Sequence, residues 1–60
     1  DQMTLCEIAQ LEEVQNGARI RRKGWHNLCY FHRGMLCTGI GHSVRIQLDD
    51  LLADDWELAT

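Results

Sequence analysis

The chain contains no proline, no low-complexity tract, no internal repeat and no linker-like stretch, so residues 1–60 read as one small domain. No apolar run approaches the roughly 20 residues needed to span a bilayer. The first residues, Asp1-Gln2-Met3-Thr4, show neither a basic segment nor an apolar one of the kind that targets a chain for export. Asp1 in place of an initiator methionine reads as a trimmed start. Glycine-rich phosphate cradles of the GxxxxGK[ST] or GxGxxG type are absent, and no local nucleophile signature accompanies His26, His32 or His42. A carboxylate pair could be drawn from Asp49, Asp50, Asp54 and Asp55, but a chain this short has little material for a cleft that dries and positions a substrate. The expectation is a binding protein, not an enzyme, with no catalytic residue, cofactor or metal.

Basic residues are few, and the formal net charge of -3 argues against non-specific nucleic-acid binding as a default. The three cysteines, Cys6, Cys29 and Cys37, are an odd number in apolar surroundings. They point to small buried hydrophobes in a reducing compartment and not to a disulfide framework. Zinc ligation by Cys29-x-x-His32 with Cys37-x4-His42 would need a turn within the first pair, because residues i and i+3 of a strand face opposite ways.

What is present is an ordinary globular composition, 45% hydrophobic and 25% charged, in a chain of 60 residues. A domain of this size buries only about 60% of the surface its unfolded chain exposes, so a partner subunit is expected. Charge is unevenly placed: Gly17 to Trp25 holds four of the six cations, whereas Asp49 to Glu57 holds five acids and no base. The two segments could neutralise each other within the fold or across a dimer.

Thr4-Leu5-Cys6-Glu7 fits a capping box, and Leu5, Ile8, Ala9, Leu11 and Val14 supply the apolar positions of a helix over about Leu5 to Gln15. Asn16-Gly17 offers its C-terminal cap. From Ala18 the period becomes two, with Ile20, Arg22 and Gly24 on one face of a strand and Arg21, Lys23 and Trp25 on the other. His26-Asn27 connects to a second strand, Leu28 to His32, and Arg33-Gly34 sits where a hairpin loop is expected before a third, Met35 to Ile40. Ser43 to Leu48 alternates as a fourth strand with Val44, Ile46 and Leu48 inward. Asp49 and Asp50 can cap a helical turn through Leu51 to Ala53, and Trp56-Glu57-Leu58 closes the chain as a short strand. The expected fold is α+β, an N-terminal helix packed on an antiparallel sheet of four or five strands.

Arg21, Lys23 and Trp25 combine phosphate-pairing cations with an aromatic platform, the chemistry of a nucleotide site. Trp25 and Trp56 have a second role open to them, as core residues in a domain with only one Tyr and one Phe besides.

The order helix, Gly17-x-x-Ile20-x-Arg22-x-x-Trp25, Tyr30, then Leu51-Leu52-Ala53-Asp54-Asp55-Trp56-Glu57 resembles the phage-encoded second Thoeris anti-defence family. That family's pattern is a helix ending in Gly, a Lys/Arg-rich strand with Trp three residues after Arg, and a C-terminal Leu-x-Ala-x-Asp-Trp. The resemblance covers most of the chain and is most specific at its two ends. The middle, Phe31 to Ser43, is shorter than the family's pattern and carries little beyond Gly34 and Gly41.

The resemblance implies a phage or prophage protein acting in the cytoplasm of an infected bacterium, without catalysis. It would sequester a small cyclic nucleotide immune signal, a cyclic ADP-ribose isomer or cyclic dinucleotide, as a homo-oligomer with ligand sites between subunits. By motif position Arg22, Trp25, Asp55 and Trp56 carry over, and with Arg21, Lys23 and Tyr30 they form the expected ligand-binding set. Two roles stay open to the motif residues: contact with ligand, or building the fold through an Arg22 to Asp55 pair that links first and last strands. The alternative function is a protein-binding inhibitor of a host defence effector such as a CRISPR complex, working through an acidic patch, or the same fold with another partner.

Overall fold

Antiparallel pairing dominates the computed structural model, which describes residues 3–59; the expectation about the start at Asp1 lies outside them. The order of elements is α1 (Leu5–Ile8), α2 (Glu12–Gln15), β1 (Ile20–Arg22), β2 (Cys29–His32), β3 (Met35–Thr38), β4 (His42–Ser43), α3 (Leu48–Leu52) and β5 (Trp56–Leu58). The fold is α+β: the strands form one antiparallel sheet in the order β4-β3-β2-β1-β5, with short helices beside it. The last strand does not extend the meander at its growing edge. It returns through α3 to the free side of β1, pairing Ile20 with Leu58, Arg21 with Glu57 and Arg22 with Trp56.

The single helix expected over Leu5 to Gln15 is two helices. Apolar residues three apart, Leu5, Ile8, Leu11 and Val14, fall behind the helical repeat by about 60° at each step, so one straight cylinder could not turn them all to one surface. The chain answers with tight bonds from the Gln10 and Leu11 amides to the Glu7 and Ile8 carbonyls, and then an extended Leu11 at φ -69°, ψ 135°. Leu5, Ile8 and Val14 are all buried as a result. The capping box forms as expected: the Thr4 amide donates to Glu7 Oε1 at 2.9 Å and the Glu7 amide to Thr4 Oγ1 at 3.2 Å. Hydrogen bonding to the Glu7 carboxyl from the Thr4 backbone amide first, and from the Thr4 side chain second, holds it below its ordinary value.

Two further strand assignments are corrected. The third strand stops at Thr38, short of Ile40, because Gly39 and Gly41 carry positive φ and turn the chain. Of the alternating run Ser43 to Leu48 only Ser43 lies in a strand, as the second residue of β4, although Val44 and Ile46 still pack against the core. Leu48 is not inward. It opens α3 and is 67% exposed, since Gln47 is extended and starts the helix through a reciprocal pair of bonds with Asp50.

The β2–β3 hairpin closes through Arg33 at φ 54° and Gly34 at φ 79°. Two successive positive φ angles mark the hairpin turn that favours Asn-Gly, and Arg in the first position is strained there. Arg33→Asn is therefore expected to stabilise the fold by up to about 1 kcal/mol, read as a higher urea midpoint at unchanged slope. An unchanged or lower midpoint would refute the strain.

The core is one cluster of Leu5, Ile8, Val14, Ile20, Cys29 and Trp56, all on the helix-covered face of the sheet. Register fixes the composition of both faces. Residues paired across strands share a face, so Ile20, Arg22, Trp56 and Cys29 lie on the covered side. Arg21, Glu57, Tyr30 and Cys37 lie on the other.

Candidate functional site

Arg22 is placed by strand alternation on the covered face, at the end of β1, opposite Trp56. Its guanidinium there meets two carboxylates. Nε donates to Asp55 Oδ1 at 2.8 Å and NH2 to Asp55 Oδ2 at 3.3 Å, a forked pair, while NH1 donates to Asp50 Oδ1 at 2.8 Å. The side chains are 25% exposed for Arg22, 16% for Asp50 and 31% for Asp55, so the cluster is screened only in part. The hydrogen bonds from Arg22 hold both carboxyls below the usual carboxylate range, with the Gln47 amide adding to the effect on Asp50. The two carboxylates in turn raise the Arg22 guanidinium above its already high value.

Trp56 lies beneath this brace with no exposed surface, and its Nε1 donates to the Asp50 carbonyl at 2.9 Å. One arginine, one indole and a helix of five residues are thereby tied to the edge pair β1–β5. The sequence led to the Arg22–Asp55 link. Asp50 as the second partner was hidden behind its role as a helix cap, a role it also fills by accepting from the Gln47 amide at 3.2 Å.

After Arg22 the alternation that would send Trp25 to the side of Arg21 fails. Lys23 and Gly24 occupy the middle of a turn closed by the Trp25 amide on the Arg22 carbonyl at 3.0 Å, with Gly24 at φ 90°. A positive φ at only the third residue is the pattern of a type II turn. The turn brings Trp25 back to the covered side, where its ring meets Trp56 edge to face, centroids 5.2 Å apart and planes at 74°. Trp25 is half-buried: it packs on the core and also walls a cleft of about 410 Å³.

That cleft is lined by Gly24, Trp25, His26, Asn27, Cys29, Thr38 and Val44. Its volume falls within the range of small-molecule sites, and its lining has their character, an aromatic wall with a few polar groups. The β1–β2 loop supplies the rim, with His26 and Asn27 exposed. The floor comes from β2 and β3, where register sets Thr38 opposite Cys29. Thr38 Oγ1 donates to the Leu28 carbonyl at 2.9 Å, leaving its oxygen able to accept. Burial pushes the Cys29 thiol up, so it presents a protonated, weakly polar surface. His26, Asn27, Thr38 and Val44 were missed by the sequence reading, and only the register of β2 on β3 and the loop path could have found them.

The other expected site residues are divided between the two faces. Arg22, Trp25, Asp55 and Trp56 are together on the covered side, while Arg21 and Tyr30 lie on the opposite face. Arg21 Nε pairs with Glu57 Oε2 at 3.0 Å. The Tyr30 ring carries the Arg19 guanidinium 4.0 Å from its centroid, and its hydroxyl donates to the Gly39 carbonyl at 3.1 Å. Lys23 is exposed on the turn beside the cleft, with no side-chain partner among the described residues.

Cys29 and Cys37 are buried and Cys6 is exposed, all three as free thiols. Exposure of Cys6 corrects the expectation that all three are core residues, since α1 turns it away from Leu5 and Ile8. Among the described residues no three His, Cys, Asp or Glu side chains gather as a metal site, and no helix is long and apolar enough to cross a membrane. The chain matches no family model, no curated protein and no solved structure.

Proposed function

We propose that this chain is a phage or prophage anti-defence protein of the infected bacterial cytoplasm that sequesters, without catalysis, a small cyclic nucleotide immune signal. A cyclic ADP-ribose isomer or a cyclic dinucleotide is the class of ligand, and a homo-oligomer is the working form. The observation that carries this reading is the cleft walled by Trp25, with Lys23 on the adjoining turn. A base stacks on the free part of the Trp25 ring, the amide of Asn27 and the hydroxyl of Thr38 address polar edges, and Lys23 neutralises phosphate. The motif resemblance supports the same class, and within it Arg22, Asp55 and Trp56 serve by holding the turn that carries Trp25.

The test is thermal melting of the purified chain with cyclic ADP-ribose isomers and cyclic dinucleotides. Ligand at 100 times its dissociation constant adds about 2.7 kcal/mol to stability, an unmistakable rise in Tm. Trp25→Ala is expected to weaken binding roughly tenfold or more, since stacking on an aromatic is worth about 1–3 kcal/mol. No shift with any of these ligands in large excess would refute sequestration.

A second reading, a protein-binding inhibitor of a host defence effector, is favoured by a separate observation. All six cations lie between Arg19 and Arg45, whereas α1, α2 and α3 carry only acids. Of these, Glu7, Glu12, Glu13 and Asp49 have no cationic partner among the described residues.

A further inference from the structure

Helix α3 is turned inside out. Surface helices ordinarily face apolar residues inward and charge outward, yet here the inward side chain is Asp50, braced to Arg22 at 2.8 Å, and none of the residues of α3 is buried. Leu48, Leu51 and Leu52 are 67%, 50% and 68% exposed. Their spacing of three and four places them on one side as a single stripe. A helix of five residues has no stability of its own, so α3 is held by polar links: the Arg22 brace, the Trp56 Nε1 bond to the Asp50 carbonyl at 2.9 Å and the bonds shared by Gln47 and Asp50. The leucines take little part in folding and are presented to solvent on a fixed support.

The rim of the stripe is acidic. Asp49 and Asp54 are exposed and lack a cationic partner among the described residues, and α1, which packs beside α3, contributes only Glu7 as a charged group. We propose that α3 is a docking face for a basic amphipathic segment of another protein, whose apolar side chains lie on Leu48, Leu51 and Leu52 and whose Lys or Arg residues meet Asp49 and Asp54. This surface is separate from the cleft beside Trp25 and does not depend on a nucleotide ligand.

Two arguments favour that occupant over a second copy of the chain. Across a twofold axis, two such faces would bring Asp49 and Asp54 of one copy toward the same acids of the other, a repulsive pairing. Three part-exposed leucines also offer well under the roughly 800 Å² per partner that a stable dimer buries, while their span of about 6 Å, a little over one helical turn, is enough for anchors at helical spacing.

The test titrates the full chain into a fluorescently labelled synthetic helical peptide of leucine and lysine, followed by anisotropy. Saturable binding is expected, weakened at least tenfold by L51S/L52S, which leaves every charge and the Asp50 brace in place. Asp49→Asn with Asp54→Asn is expected to weaken it too, as is added salt. Circular dichroism checks that each variant folds, and Leu48→Ser alone serves if the double variant does not. Unchanged affinity in the leucine variants would overturn the proposal. So would concentration-dependent self-association that the same substitutions abolish, which would assign the face to a second copy.

Discussion

Trp56→Ala is expected to unfold most of the protein at room temperature. The indole is fully buried in the core cluster and donates to the Asp50 carbonyl, so its removal opens a cavity and breaks a part-buried hydrogen bond. Large aromatic truncations of this kind cost about 3–5 kcal/mol. A domain of 60 residues has only about 3–9 kcal/mol to lose. Trp56→Phe fills most of the volume and loses only the donor, so it should retain the fold with a lowered urea midpoint. Both variants are read by near-ultraviolet and far-ultraviolet circular dichroism. A Trp56→Ala protein that keeps a cooperative transition within about 1 kcal/mol of the parent would refute a core role.

Arg22→Ala is expected to have the next largest effect, and its signature is a change in the direction of pH dependence. In the parent, Asp50 and Asp55 are held below their unfolded values by Arg22. Stability from a depressed carboxyl is fully present above the unfolded value, about 3.9, and is lost as pH falls through the folded one. The parent therefore weakens in acid below about pH 4. Without the guanidinium, two carboxylates that shared one cation face each other across its place. Arg22→Ala should melt well below the parent at pH 7 and regain part of the loss as acid protonates one of the pair. Arg22→Lys should recover little, because one ammonium cannot reproduce the fork on Asp55 together with the bond to Asp50. Thermal melts from pH 3 to pH 8 decide this, and parallel pH profiles for parent and Arg22→Ala would refute the brace.

These two residues change how the motif at the chain's ends is understood. Arg22, Asp55 and Trp56 form a structural unit that fixes β5 on β1 and α3 over both. The cleft that the proposed function assigns to a ligand begins where that unit stops, at the turn of Lys23 and Gly24. Gly24 decides where Trp25 goes, because its φ of 90° is open to glycine and strained for any other residue. The oppositely charged segments do pair within the fold, and among the described residues their direct ion pairs are those of Arg21 and Arg22. The remaining acids of the helical layer stay at the surface, which is why a basic partner fits it.

Local signals carried much of the fold. Thr4 and Glu7 are three residues apart and each holds the other's amide, so a capping box is legible in any context. Arg33-Gly34 marks a hairpin because the two positions alone determine its register, and the α+β class with an antiparallel sheet follows from the sequence of periods. Alternation places Arg22 inward, but a pair with Asp55 is one of two roles open to those motif positions, and the register of β1 on β5 decides it. The tertiary structure decided what depends on residues far apart. Leu5, Ile8, Leu11 and Val14 read as one helix until the sheet beneath them demanded that three be buried together, and the chain broke at Leu11 to do so. Val44 to Leu48 alternates as a strand would, yet pairing with β3 ends after the Val44 amide donates to the Leu36 carbonyl at 2.9 Å, and the chain turns into the helix that Gln47 starts. The cleft could not be read from the chain at all, since Thr38 reaches Trp25 only through the pairing of β2 with β3 and one turn at Gly24. Pattern determines which face a residue wants, and pairing partners determine which it obtains.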